Sequence, residues 1–218
     1  MNKVKILIID TGMNSSIDNL KTNILLDLNN NSIFEKNIKN AVNEHGQIIA
    51  EIINSLCSDI ELHSICIFDK TLSSDSRLLI SALEKAVILK PDIINLSLGT
   101  FNLRYFFKLK SIINKLAKLN CILVISHSNI NQKSYLPYMK NIISVKGEFF
   151  KNRYDFKFKD GVMYAPFTTK ILNIKSNLEG NSIATAYASA HIANIKKKNI
   201  NYSYIDIIEI LKSYNERC

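Results

Sequence analysis

The stretch Lys3-Val4-Lys5-Ile6-Leu7-Ile8-Ile9-Asp10-Thr11-Gly12 decides how the chain is read. From Ile6 to Ile9 it is continuously apolar and mostly β-branched, without the alternation of a half-exposed strand. Such a run predicts a strand buried on both faces, as in the middle of a parallel sheet. Thr11-Gly12 ends it in a turn. Asp10 is thereby placed at the carboxyl end of a buried strand, where ligands and chemistry gather in open parallel sheets.

Beyond this strand the pattern alternates. Residues 14–43 are polar and Asn-rich, with an apolar island at Ile24-Leu25-Leu26, and read as a connection carrying one short strand. Gly46 to Leu56 places Ile48, Ile49, Ile52, Ile53 and Leu56 at helical spacing. A strand is expected over Leu62 to Phe68 and a helix over Ser76 to Leu89. Pro91-Asp92 then turns the chain into a strand at Ile93 to Ser97. An amphipathic helix follows from Leu103 to Leu119, then strands at Cys121 to Ser126 and Asn141 to Lys146. Asp160-Gly161, amid alternating aromatic and charged residues from Phe149 to Tyr164, predicts a hairpin. An Ala-rich helix from Ser182 to Lys197 and a last helix from Tyr204 to Tyr214 complete the series. Strands alternating with helices predict an α/β fold. It has three layers, α/β/α, around a mostly parallel sheet, with a C-terminal β-hairpin and helices, and residues 1–218 form one domain.

The 218 residues carry a net charge of +9. The lysines are spread along the chain rather than interleaved with aromatics on one face, so a nucleic-acid partner is not expected. The densest basic run, Lys196-Lys197-Lys198, reads as a solvated helix end. No run of about 18 apolar residues suggests a membrane span. No charged start, apolar stretch and cleavage site is seen, so the expected location is cytoplasmic. The four cysteines show no C-x-x-C spacing, and Cys66 and Cys121 sit in apolar runs as small hydrophobes. His63, His127 and His191 show no metal spacing and read as structural.

Three residue types stand out from this pattern. Asp10 ends the first strand, His45 precedes a helix at Gly46, and Ser182 opens an Ala-rich helix after Gly180-Asn181. A serine hydroxyl is a poor nucleophile near neutral pH. It needs a base within hydrogen-bond reach, and the base needs an orienting partner. His45 is the candidate base and Asp10 its orienting carboxylate. An N–H at a helix start is free of the helix ladder, so that of Ser182 can donate to an oxyanion. Asn129, just past the strand Val124-Ile125-Ser126, is the candidate second donor. Asp10-Thr11-Gly12 alone also resembles the aspartic-protease signature, but that chemistry needs two such carboxylates, and one Asp-Thr-Gly is present.

The segments together resemble the subtilisin-like (S8) serine peptidases. Ile8 to Gly12 resembles that family's Asp segment, and His45-Gly46-Gln47-Ile48-Ile49-Ala50 its H-G-T-x-V-A. Ile93 to Gly99 resembles the strand entering S-L-G, Ser126 to Asn129 its A-G-N, Ala165-Pro166-Phe167 its A-P-G, and Gly180 to Ala186 its G-T-S-x-A-x-P. The resemblance implies catalysis by Asp10, His45 and Ser182, an oxyanion amide at Asn129, and a substrate edge at Ser97, Leu98 and Gly99. A second edge would fall near Leu72-Ser73-Ser74. It implies a peptide or protein substrate and no cofactor for the chemistry; no acidic cluster in the chain is assigned to the family's structural calcium sites. Limited processing of a precursor is the expected role. The departures at Gln47, Ser128, Phe167, Asn181 and Ala186 support one rival reading, a catalytically impaired member that binds peptides.

Overall fold

The computed structural model describes residues 3–97, 103–127, 135–172 and 176–215. Asn129, Leu98 and Gly99 lie outside the described residues.

Within them nine strands form one sheet. They are β1 (Val4–Asp10), β2 (Leu20–Asn29), β3 (Ser32–Asn37), β4 (Ile60–Cys66), β5 (Ile93–Leu96), β6 (Ile122–Ser126), β7 (Ile142–Glu148), β8 (Lys157–Lys159) and β9 (Val162–Pro166). The order across the sheet is β3-β2-β4-β1-β5-β6-β7-β9-β8. β2, β4, β1, β5, β6, β7 and β9 run parallel, and β3 and β8 pair antiparallel at the two edges. The helices are α1 (Glu44–Leu56), α2 (Ser76–Leu89), α3 (Phe106–Lys118), α4 (Asn181–Lys198) and α5 (Tyr204–Asn215).

The opening strand shows why the sheet is covered on both faces. Val4, Ile6 and Ile8 join the core beneath α1, α4 and α5. Leu7 and Ile9, pointing the other way, join the core beneath α2 and α3. One strand feeds two cores, and an alternating strand could not have done so. This is the three-layer arrangement expected from the sequence. α4 is buried along most of its length, with Ala184, Ala186, Ala188, Ala190 and Ala193 inaccessible to solvent. Those small side chains let it lie close across β1, β5, β6, β7 and β9 and against α1.

Two expectations are corrected. The Asn-rich connection is a two-stranded hairpin, β2–β3, which extends the sheet beside β4. Its turn is Asn30-Asn31, with φ of 48° and 65°, the left-handed pair that a two-residue hairpin needs and that Asn tolerates. β3 is exposed throughout, so it carries little of the apolar pattern by which strands are recognised. The second correction is Lys196. It is fully buried, and its ammonium donates to the carbonyls of Asn120 (2.9 Å) and Ile200 (3.0 Å). It ties the end of α4 to the α3–β6 turn. The hairpin at Asp160-Gly161 is part of the main sheet, since β9 also pairs parallel with β7.

Candidate active site

The turn after β1 and the start of α1 are built as one unit. The Thr11 hydroxyl accepts from the Gly46 N–H (2.9 Å) and donates to the Asn43 carbonyl (2.8 Å). The Val42 N–H donates to the Thr11 carbonyl at 2.9 Å. Asn43 caps α1, its side chain accepting from the His45 N–H at 3.0 Å. His45 therefore lies in the first turn of α1 rather than just ahead of it. Gly46 is required by space: a Cβ there would stand 2.5 Å from the Gly12 carbonyl oxygen and 3.1 Å from Thr11 Oγ1. Gly46→Ala is expected to push α1 off β1 and to pull His45 away from Asp10. A thermal melt should show a loss of about 1–3 kcal/mol.

The pairing of Asp10 with His45 is the centre of the site. His45 Nδ1 donates to Asp10 Oδ1 at 2.7 Å, and the same oxygen accepts from the Thr11 N–H at 2.8 Å. An ionised carboxylate only accepts, so the proton of the neutral imidazole resides on Nδ1 and Nε2 is left basic. Asp10 is 1% exposed, and its second oxygen accepts no bond among the described residues. Burial is the strongest influence on His45 and opposes the imidazolium. The hydrogen bond to Asp10 and the carboxylate's charge together outweigh it and raise the pKa above the ordinary 6.5. The Asp10–imidazolium bond contributes stability that is fully present below pH 6.5 and is lost as pH rises through the raised value. A step using neutral His45 as base has its acidic limb above pH 6.5, to be read from kcat/KM against pH.

Ser182 arrives from the other end of the chain. α4 is capped by Gly180, whose φ of 141° suits glycine. Ser182 is the second helical residue, not the cap. Asn181 sets where the helix starts. Its Oδ1 accepts from the Gly147 N–H of β7 at 2.7 Å and its Nδ2 donates to the His127 carbonyl, just past β6, at 3.0 Å. Ser182 is thus held, half-buried, at the carboxyl edge of the sheet, where Asp10 also lies. α1 and α4 pack directly on each other. Among the described residues no hydrogen bond joins Ser182 Oγ to His45; such bonds commonly tighten only when substrate is bound. Ser97 follows β5 at the same edge, and its hydroxyl accepts from Asn95 Nδ2 at 3.1 Å.

Several supports of the site are not apparent from the sequence motifs. Asn43 has a readable signal, a capping residue type just ahead of the helical run. Thr11 and Asn181 have none, because their partners are remote in sequence. Gln47 holds the Asn14 N–H (3.0 Å) and Glu51 (2.9 Å). The Leu72-Ser73-Ser74 segment is a closed turn rather than an extended edge: the Asp69 N–H donates to the Ser73 carbonyl at 3.0 Å, and Asp69 Oδ1 accepts from Thr71 and Ser73. His63 Nδ1 bonds Thr22, and His127 stacks edge-on against Tyr138. Burial pushes the Cys66 thiol, beside Asp10 on β4, up to about 12. Among the described residues no group of three or more His, Cys, Asp or Glu could hold a metal ion, and no helix is long and apolar enough to cross a membrane.

Comparison with known proteins agrees with this architecture. Solved structures with the same fold include a lanthipeptide protease (18% identity, TM-score 0.74, covering 96% of this chain and 79% of that one). Sphericase is similar at 16% identity and TM-score 0.71, covering 98% and 85%. A cold-adapted subtilisin-like serine proteinase is similar at 14% identity and TM-score 0.71, covering 96% and 81%. No curated protein matches by sequence. The model of the subtilase family matches residues 1–149, a span that takes in Asp10, His45 and the ends of the central strands, and the chain therefore belongs to the subtilase family.

Proposed function

We propose that the chain is a serine endopeptidase acting through Asp10, His45 and Ser182. The observation that carries it is the buried Asp10–His45 hydrogen bond, which leaves Nε2 basic at the edge where α4 presents Ser182. Ser182 Oγ attacks the scissile carbonyl carbon while His45 Nε2 takes the hydroxyl proton. The developing oxyanion receives the Ser182 N–H, free at the helix start, and the amide of Asn129 as the second donor. The C–N bond then breaks, His45 returns its proton to the leaving amine, and an acyl-enzyme ester remains. Water, deprotonated by His45, attacks the ester and releases the acid, and the proton passes back to Ser182. Ser97, Leu98 and Gly99 would take the substrate backbone as an added strand.

Limited processing of a peptide precursor is the role favoured, and one structure of the same fold is that of a lanthipeptide protease. The test is labelling of the folded protein by a serine-directed fluorophosphonate. Stoichiometric labelling at Ser182 is expected. A folded chain that takes no label but binds peptides would instead make it a non-cutting member of the family. Broad digestion of unfolded casein, absent in the Ser182→Ala variant, would overturn the processing role while leaving the chemistry intact.

A further inference from the structure

Asn95 is a polar residue in an apolar place. On β5, Ile94 and Leu96 face the α2–α3 core, and Ile93 faces the core of α1 and α4. Asn95 lies on the side of Ile93, level with Ile8 on β1 and Val124 on β6, both members of that same core. It is fully buried. A buried amide costs about 1–3 kcal/mol unless its hydrogen bonds are made, and both strand neighbours at this level are aliphatic. Such a residue is commonly retained for what it orients rather than for stability.

Its bonds point to what it orients. Ser189 Oγ on α4 donates to Asn95 Oδ1 at 2.9 Å, and Asn95 Nδ2 donates to Ser97 Oγ at 3.1 Å. Ser189 is itself fully buried and lies about two turns beyond Ser182 on the same helix. Leu96 pairs with Ile9 and with Ile125, so Ser97 stands level with Asp10 on one side and Ser126 on the other. The relay therefore runs from the helix that carries the candidate nucleophile, through the sheet, to the strand end beside Asp10. Because Asn95 donates to Ser97 Oγ, the Ser97 proton is directed away from the amide.

We infer that Asn95 is a positioning residue for peptide binding: clamped by Ser189, it holds Ser97 and the end of β5 in register with the helix bearing Ser182. The inference rests on the peptidase reading. It makes reaction with an extended peptide depend on Asn95, whereas reaction of Ser182 with a small reagent does not.

The test compares two covalent probes on the full chain. One is a small alkyl fluorophosphonate. The other is a pool of tetrapeptidyl phosphonate esters randomised at all four positions, which needs the binding edge to react quickly. In the unaltered chain the peptidyl pool reacts faster. In Asn95→Leu the peptidyl rate falls about tenfold, the worth of one hydrogen bond, and the small-probe rate stays within about threefold. Ser189→Ala, a substitution a helix accepts readily, gives a smaller fall in the same ratio and serves if Asn95→Leu fails to fold. Ser97→Ala combined with Asn95→Leu adds little to either alone, since the two act in series. Rates for both probes that fall together, or a ratio unchanged in both variants, overturn the inference. An unaltered chain whose peptidyl rate does not exceed the small-probe rate overturns it too. An unaltered chain that takes neither probe overturns the peptidase reading, and this inference with it.

Discussion

Ser182→Ala is expected to abolish fluorophosphonate labelling and to lower peptide hydrolysis by about 10⁶-fold, with the melting temperature nearly unchanged. Both halves follow from the position of the residue. Gly180, not Ser182, caps α4, and Asn181 anchors the helix start to Gly147 and His127. The Ser182 hydroxyl therefore does no structural work that alanine would undo. A surface or helix substitution of this kind stays within about 0.5 kcal/mol. The proposed chemistry, in contrast, loses the atom that would bond to the substrate. What remains is binding and oxyanion stabilisation, about 10³–10⁴ over the uncatalysed rate. An alanine variant that is labelled or cuts like the parent chain would sink the assignment.

Asp10→Asn is expected to cost about 10⁴ in turnover while leaving the side chain's shape intact. Asp10 Oδ1 accepts from Nδ1 of His45 at 2.7 Å, and an amide can turn its NH2 toward that nitrogen, giving up the bond that the same oxygen accepts from the Thr11 N–H. Nδ1 then becomes the acceptor, the proton moves to Nε2, and the base is lost without any change in packing. Removing the carboxylate also removes both influences that raise the His45 pKa, leaving the burial that lowers it. The histidine titration, followed by NMR, should move down from its position in the parent chain. A fall in kcat of less than about tenfold, or an unmoved titration, would show that Asp10 does not orient His45.

How much of the molecule is legible in the sequence differs by element. β1 can be read because its apolar run reports burial on both faces, and α2 because Leu79, Ala82, Leu83 and Ala86 recur at helical spacing and are buried in the structure. The β2–β3 hairpin is not legible: β3 is exposed along its whole length and is held by backbone pairing to β2 rather than by an apolar face. Lys196 misleads for the opposite reason. A lysine in a basic run looks solvated, and only the carbonyls of Asn120 and Ile200, brought to its ammonium by the fold, let it be buried.

The amino-acid sequence by itself determined the layer order, the family resemblance and the three residue types of the candidate triad. These depend on local periodicity and on short segments with recognisable neighbours. The tertiary structure alone decided which nitrogen of His45 is basic, what holds Ser182 at the sheet edge, and that Asn95 links α4 to β5. The bonds responsible span 35 residues from Asp10 to His45, 54 from His127 to Asn181, and 94 from Asn95 to Ser189. Periodicity records which face of an element is apolar. It holds no information on which polar groups from distant elements will meet once those faces are buried, because that is set by packing the elements together.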